Sequence, residues 1–443
     1  MVRIYQAKAK SLGPSHQTLL IERWDHEAQS IAFHAGKICF IEGGLPGETV
    51  KVQLTEQKAQ YAKGHVQAIL TPSPLRIKAQ CPVAGQCGGC QLHHIGANEA
   101  LKLKQQAVAE LLHHQLKISD LPWQQPIVAQ AQGYRRKARI GIWYDKPSQQ
   151  YQVGFRKNQS NEILDVDACL VLSPTLAKVL PVLRQTLPKL KNGSAITHAE
   201  VVDADGQAFI ILRHIKALPE QDRELLKQSW PEAYWFGEAE PGEFSAWQQH
   251  TPQTQYGLVL PNKQSITLTF SPGDFIQINT QVNQQMVQQA IDWLEPCKDD
   301  RILDLYCGIG NFSLALAAMG AAVVGVEGVD AMVQRASANA KLNDLSTCEF
   351  YQADLHLPWP KAGWSKANYN KILLDPARAG AAGAIDEIAK LKAAQILYVS
   401  CNPTTFARDA KVLLAKGFRI AKIGVMDMFP YTSHLELMAL FTK

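Results

Sequence analysis

The chain has 443 residues, 46% of them hydrophobic and 19% charged, with a formal net charge of +5. That length asks for two or three domains, and the composition excludes a disordered chain. The mild positive charge permits a nucleic-acid partner without demanding one. Met1 leads into Arg3, Lys8 and Lys10 without a following apolar core, and the longest apolar stretch, Phe312 to Val326, is broken by Ser313, Gly320 and Gly325. We therefore expect neither a leader peptide nor a membrane span, and a soluble cytoplasmic protein with no membrane partner.

Residues 1–74 read as short strands. Thr18 to Ile21, Ile31 to Phe33, Ile38 to Ile41 and the alternating Val50, Val52 and Leu54 are separated by turns at Gly36-Lys37 and Gly43-Gly44-Leu45-Pro46-Gly47-Glu48. Short strands joined by Gly/Pro turns predict a small barrel. The run Ala35-Gly36-Lys37, Phe40-Ile41 and Gly44 to Glu48 resembles the TRAM domain, an OB-like RNA-binding barrel. Pro72-Ser73-Pro74 closes the segment as a stiff linker.

A second segment, 75–262, opens on Cys81-x5-Cys87-Gly88-Gly89-Cys90. Three thiolates this close point to one metal centre, and the glycines let backbone amides approach sulfur. An iron–sulfur cluster suits that arrangement, and zinc, which also takes four ligands, is not excluded by spacing. Cys169, after an apparent strand, is the best candidate for a fourth ligand. Of the nine cysteines, Cys39, Cys297, Cys307 and Cys348 are scattered and read as packing residues. Without a secretory signal a disulfide framework is not expected. Residues 97–118 carry a helical apolar stripe, and Arg135, Arg136, Lys137 and Arg139 beside Tyr134 read either as an RNA-facing strand or as a merely solvated one. Ser194 to Ile215 and Gln264 to Phe270 read as further strands, and no role is assigned to 217–255.

The third segment, 263–443, alternates strands and helices. Arg301 to Tyr306 precedes the Gly-rich turn Cys307-Gly308-Ile309-Gly310-Asn311, and later strands end at Glu327, Asp354, Asp375 and Ser400-Cys401, with a last one over Leu435 to Phe441. This predicts a parallel doubly wound sheet with its ligand sites at the carboxyl ends of the strands. A nicotinamide dinucleotide is the rival ligand, but Gly308-x-Gly310 lacks the third glycine of that fingerprint. Asn311 in its place resembles the S-adenosylmethionine pattern. Cys401 sits where a reactive thiolate could act, and Glu436 can supply a carboxylate; each could equally be structural.

In order along the chain, Cys81-x5-Cys87-Gly-Gly-Cys90, Phe275-x-Gln277-x-Asn279, Leu303 to Gly308, Leu374-Asp375-Pro376-Ala377-Arg378 and Ser400-Cys401-Asn402-Pro403 resemble the bacterial RNA uracil-5-methyltransferase family. The barrel together with the cysteine cluster points to its 23S ribosomal RNA branch. The resemblance implies an α/β class I (Rossmann-like) methyltransferase domain, an N-terminal TRAM barrel and an iron–sulfur-containing α+β central domain. It implies S-adenosyl-L-methionine as cofactor and a [4Fe-4S] cluster on Cys81, Cys87, Cys90 and Cys169. It implies Cys401 as nucleophile on uracil C6, Glu436 as general base, and Gln277, Tyr306, Asn311, Glu327, Asp354 and Asp375 around the cofactor. Tyr306 departs from the usual Phe, and Asp354 stands where Asn can occur. The expected partner is naked or partly assembled 23S ribosomal RNA, bound by a monomer and converted to 5-methyluridine at one site. Two other classes, a non-catalytic ribosome-assembly factor and a radical S-adenosylmethionine enzyme, are disfavoured by the intact Cys401 and Glu436 and by the matched Cys169.

Overall fold

The structure, a computed structural model, describes residues 16–443 apart from Pro360 and Ala362. Arg3, Lys8 and Lys10 lie outside the described residues. By contacts the chain forms two compact units, one from the residues up to Gln80 with Gln91–Glu110, the other from Cys81–Cys90 with Leu111–Lys443. Among the described residues no helix is long and apolar enough to cross a membrane.

In the first unit β1 (His16–Leu20), β2 (Arg23–Trp24), β3 (Ser30–His34), β4 (Lys37–Glu42), β5 (Thr49–Gln57) and β6 (Tyr61–Thr71) form one sheet in the order β1-β5-β6-β4-β3-β2. Alternation buries Leu19, Ile41, Val50, Val52 and Leu54 in a single cluster. Glu48 locks the turn of the Pro46-Gly47-Glu48 run. Its fully buried carboxylate accepts the Leu45 amide at 2.8 Å, the Ser73 amide at 3.2 Å and the Arg76 guanidinium at 2.5 and 2.7 Å. Burial alone would raise its pKa, but Arg76 and the two amides hold it below the ordinary carboxylate range. The helix expected over 97–118 spans Ala97–Leu116.

The second unit carries two large sheets. The middle one comprises β7 (Lys137–Asp145), β8 (Gln150–Arg156), β9 (Ile163–Asp165), β10 (Ile196–Ala204), β11 (Gln207–His214), β12 (Tyr234–Glu238) and β13 (Phe244–Ala246), in the order β13-β12-β11-β10-β7-β8-β9. Residues 217–255, left without a role above, supply β12, β13 and the helix Glu220–Ser229. Their Leu226, Trp230 and Trp235 pack with Val179, Leu180 and Leu183 of the helix Val179–Thr186 to cover one face of the sheet. The opposite face, with Val202, Phe209 and Ile211, shares a core with the second sheet. A hairpin of β14 (Gln255–Val259) and β15 (Ser265–Thr269) contributes Tyr256, Leu258, Ile266 and Leu268 to that same core, so a division after residue 262 falls in its turn.

The second sheet runs β18-β17-β16-β19-β20-β22-β21, from β16 (Arg301–Leu305), β17 (Ala322–Glu327), β18 (Cys348–Gln352), β19 (Lys371–Leu374), β20 (Gln395–Ser400), β21 (Arg419–Met426) and β22 (Glu436–Thr442). The central strands are continuous apolar runs because helices cover both faces. The sheet is parallel and doubly wound as the sequence predicted over β18-β17-β16-β19-β20, with one departure at its far edge. β22 lies between β20 and β21 and is antiparallel to both. Only nine residues separate β21 from β22, too few for the crossover that a parallel pair requires.

Candidate active site

At the carboxyl end of β16, Asp304 points into the protein and accepts the hydroxyl of Ser313, tying the strand to the helix Ser313–Ala318. Burial pushes its carboxyl up to about 7; the Ser313 bond opposes the shift and the nearby Asp375 adds to it. The following turn passes through positive φ at Tyr306 (62°), Gly308 (55°) and Gly310 (94°). A Cβ on Gly310 would come within 2.0 Å of Leu314 Cδ1, so glycine is required there. Tyr306 holds this sparsely populated conformation because its amide and that of Cys307 both donate to Val326 O, at 2.9 and 3.2 Å. Its hydroxyl is buried without a hydrogen-bond partner among the described residues, and burial raises the phenol to about 12, with Asp409, Asp354 and Glu327 adding to the shift.

Glu327, at the end of β17, accepts the Gly308 amide with one oxygen (3.1 Å) and the amides of Gly328 and Val329 with the other (2.9 and 3.1 Å). It braces the Gly-rich turn and keeps acceptor capacity for a pair of hydroxyls. Asp354 is exposed and accepts the His356 amide at 2.9 Å. Gln277 is half-buried, its carbonyl bound by Arg136 Nε at 2.7 Å. The amide of Asn311 exchanges two hydrogen bonds with Asn283 (2.9 and 3.1 Å) and accepts Tyr256 Oη at 2.9 Å. Its side chain thus fastens the turn to the hairpin and to the helix Thr280–Leu294. The chemical signal for these two partners, Tyr256 and Asn283, was absent from the sequence because both lie outside any motif.

The next strand ends bring reactive groups together. Cys401 follows β20 directly, Asp375 follows β19, and Glu436 is the first residue of β22. Glu436 is buried, and desolvation followed by the charge of Asp375 pushes its carboxyl up to about 8, with Arg378 pulling the other way. The Cys401 thiol is pushed up to about 11 by burial and by the Glu436 and Asp375 charges, and Arg378 again opposes. Asp375 itself is raised to about 7 by burial. One guanidinium therefore serves both the Cys401 thiol and the Glu436 carboxyl. Arg378 is held by His434, its Nη2 lying 2.9 Å from the ring's Nε2. Sequence reading assigned no role to Arg378, although it lies inside a quoted motif.

Asn402-Pro403 explains why the thiol stands where it does. Asn402 caps the helix Pro403–Ala415, its side chain accepting the Thr404 and Thr405 amides at 3.0 and 3.4 Å, with Pro403 in the first turn. Asn402 Nδ2 also donates to Arg378 O at 3.1 Å. Cys401 is thus squeezed between a strand end and a capped helix start, on a backbone fixed from both sides.

The four cations expected to face RNA divide sharply, and for two the expectation is corrected. Arg136 is buried, its guanidinium 4.2 Å from the centre of the Tyr256 ring and its Nε on Gln277 O. Lys137 Nζ binds Pro272 O (2.7 Å), Asp274 O (2.8 Å) and Glu200 (3.0 Å). Both are committed to internal bonds. Arg135 is half-buried beside the cysteines, and Arg139 is exposed. The thiols of Cys81, Cys87, Cys90 and Cys169 interact electrostatically with one another. Burial raises Cys90 to about 12, with Cys169, Cys87 and Cys81 adding to the shift. Among the described residues no three His, Cys, Asp or Glu side chains stand as a preformed metal cage.

A Rossmann-like sheet, an acid-braced glycine turn and a thiol set beside buried carboxylates define a class I methyltransferase. Residues 257–354 and 362–443 match the family described as tRNA (Uracil-5-)-methyltransferase, and residues 15–67 match the TRAM domain. The 23S rRNA (uracil(1939)-C(5))-methyltransferase RlmD of Vibrio cholerae serotype O1 (strain M66-2) is 44% identical over the full length of both chains. The protein of the same description from Photobacterium profundum is 41% identical, over 100% of this chain and 97% of its own. The chain belongs to the RNA uracil-C5-methyltransferase family. Its fold is also that of Pyrococcus abyssi tRNA (uracil-54, C5)-methyltransferase, solved with S-adenosyl-L-homocysteine, with a TM-score of 0.74 and 21% identity over 96% of this chain and all of that one.

Proposed function

We infer that the protein transfers a methyl group from S-adenosyl-L-methionine to C5 of one uridine in 23S ribosomal RNA, the one corresponding to uracil 1939 of its relatives. The observation that carries this reading is the pairing of Cys401 with Glu436 beside the Gly-rich turn. Uracil C5 is a weak nucleophile until a thiolate adds to C6. Cys401 Sγ supplies that addition and turns the ring into an enolate. The cofactor, when bound, supplies an electrophilic methyl group, which C5 takes. C5 then carries both the new methyl group and its original proton. The Glu436 carboxylate removes that proton, the C5–C6 double bond re-forms, and the C6–S bond breaks to return the thiolate. Arg378 offsets the negative charge that Cys401, Glu436 and Asp375 would otherwise concentrate. A uracil inside folded RNA must leave its stack to reach this pocket.

The residues around the turn fit the cofactor. Glu327 keeps free lone pairs for ribose hydroxyls, Asp354 is exposed for an adenine amino group, and Tyr306 closes one side, with Gln277, Asn311 and Asp375 completing the set. Cys81, Cys87, Cys90 and Cys169 would hold a [4Fe-4S] cluster. The fit rests on four soft donors within electrostatic reach, an amide of Gly89 on Cys87 Sγ at 3.4 Å, and amides of Val171 and Leu172 directed at Cys169. In this reading residues 1–74 bind RNA, 75–262 carry the cluster, 263–443 catalyse, and the protein works as a cytoplasmic monomer.

The test uses a 23S transcript and cofactor labelled in its methyl group. Wild type yields labelled 5-methyluridine, and Cys401→Ala yields none. Glu436→Gln keeps size and a hydrogen bond but cannot accept the proton, so it accumulates a labelled protein–RNA band on a denaturing gel, absent from the double variant. Turnover by Cys401→Ala overturns the covalent route, and normal turnover by Glu436→Gln overturns the base.

A further inference from the structure

Beyond its packing on the second sheet, the face of the middle sheet that bears Val202 carries a groove of about 920 Å³, walled by Gly88 and Gly89 of the cysteine loop and by Arg139, Arg156, Lys157 and His198. We propose that this groove holds the phosphate backbone of RNA flanking the target uridine, with a base stacked on Trp143 beyond it. The proposal rests on the reading of the substrate as RNA and adds a binding track away from the reacting base.

Strand geometry builds the track. Burial alternates along β7, so Arg139 and Trp143 share the face opposite Ala138, Ile140 and Ile142, four residues or about 13 Å apart. On β8, Gln152 pairs with Trp143 and Gly154 with Gly141, and the same register carried on sets the exposed Arg156 beside Arg139. Trp143 keeps 59% of its surface exposed, unusual for the largest apolar side chain unless something covers it.

The charge pattern selects the partner. Neither Arg139 nor Arg156 has a salt bridge among the described residues. Two acids on the neighbouring strand and loop are already taken: Glu200, opposite Arg139 on β10, binds Lys137 at 3.0 Å, and Glu162 binds Lys157 at 2.7 Å. Burial holds His198 below the ordinary histidine range, so it stays neutral and polar. Two free guanidinium groups beside an exposed indole fit a chain of phosphates with bases to stack. An acidic protein would satisfy the cations but leave the ring without its natural counterpart.

The groove is also fixed in shape. Gly88 N donates to Arg156 O at 2.9 Å and Asn158 N to Gln86 O at 2.7 Å, pinning the cysteine loop against the end of β8. A Cβ on Gly88 would lie 3.2 Å from Arg156 O, so a larger residue would push this wall away.

The experiment measures affinity of the full-length holoprotein for two RNAs. One is a 23S fragment of several tens of nucleotides around the target, the other a short oligonucleotide holding little more than the target uridine. Arg139→Gln/Arg156→Gln should weaken the long fragment roughly tenfold and flatten its salt slope by about 1.4, at about 0.7 per single-stranded phosphate. Trp143→Ala should weaken it severalfold, with Trp143→Phe restoring most of the loss. Equal affinity and slope for the double variant overturn the proposal, as does an equal loss on the short oligonucleotide. Binding of polyglutamate by wild type, lost in the double variant while long-RNA affinity stands, assigns the groove to an acidic protein instead. Wild-type methylation is scored separately, so failure of the enzymatic reading remains distinct from failure of the groove.

Discussion

Cys401 and Glu436 lie one step beyond the last paired residues of β20 and β22, close enough for the Glu436 charge to act on the Cys401 thiol. Val399 is paired with Met438 and Ser400 with Leu437, and the next step of that register sets 401 against 436. Where such a register continues, side chains at opposed positions leave a sheet on the same face. The nucleophile and the proton acceptor are therefore delivered to one pocket by two chain segments running in opposite directions.

Glu436 should give the protein a pH-dependent stability with a definite sign. Its carboxyl stands at about 8 when folded, against an ordinary 4.5. Between those values the folded state keeps a proton that the unfolded chain has lost, so stability falls as pH rises through the window. Glu436→Gln does not carry that penalty. Its stability relative to wild type should improve from pH 4.5 to 8, by at most roughly 4–5 kcal/mol. Urea unfolding across this range checks it, and a gap that narrows with pH sinks the assignment. Because the base must be ionised, kcat/KM for RNA should rise over the same interval towards pH 8.

Asn402 tests how the thiol is positioned. Asn402→Ala removes the helix cap and should cost about 1 kcal/mol of stability. Asn402→Asp keeps the cap but loses the bond to Arg378 O and places a carboxylate next to Cys401. We expect near-normal stability with kcat/KM reduced by tenfold or more, because a neighbouring anion raises the thiol further. Full activity in the Asp variant would show that the neighbour of Cys401 is neutral in its effect.

Arg136 and Lys137 separate a structural cation from an RNA contact. Arg136→Ala breaks the stack on Tyr256 and the bond to Gln277 O, and should cost about 2–4 kcal/mol. The salt dependence of RNA binding should not change in either this variant or Lys137→Ala. A slope flattened by about 0.7 in either one would return that residue to the RNA face.

The cysteine site predicts a brown protein with about four irons after anaerobic purification, as the thiolate set of a cubane cluster requires. Replacing Cys169 alone with Ser should remove the visible absorbance, although it lies far along the chain from the other three. Stoichiometric zinc without colour would refute the cluster.

Much of this was readable from residues in order. Strand ends at Glu327, Asp375 and Cys401 follow from apolar runs stopped by a polar group, and Asn402-Pro403 is a helix-start signature on its face. The position of β22 was not readable, because Leu435 to Phe441 is equally apolar in a parallel or an antiparallel setting. Without that placement Glu436 is one acid among 40 Asp and Glu residues rather than the partner of Cys401. The cations of 135–139 misled for a related reason. Composition counts charges, whereas strand alternation and the nearby carbonyls of Pro272, Asp274 and Gln277 decide which of them reach solvent.

The side chain of Asn311 links parts that sequence keeps far apart. It fastens the Gly-rich turn to Asn283 and Tyr256, and the ring of Tyr256 is the seat on which Arg136 rests. Arg136 in turn holds Gln277 and directly precedes the strand bearing Arg139 and Trp143. The turn, the 275–279 segment and the root of β7 thus form one mechanical bracket with no hinge between them. The Tyr256 ring is the shared seat of both sides of that bracket, so cutting it back to alanine removes the support of Asn311 and of Arg136 at one stroke.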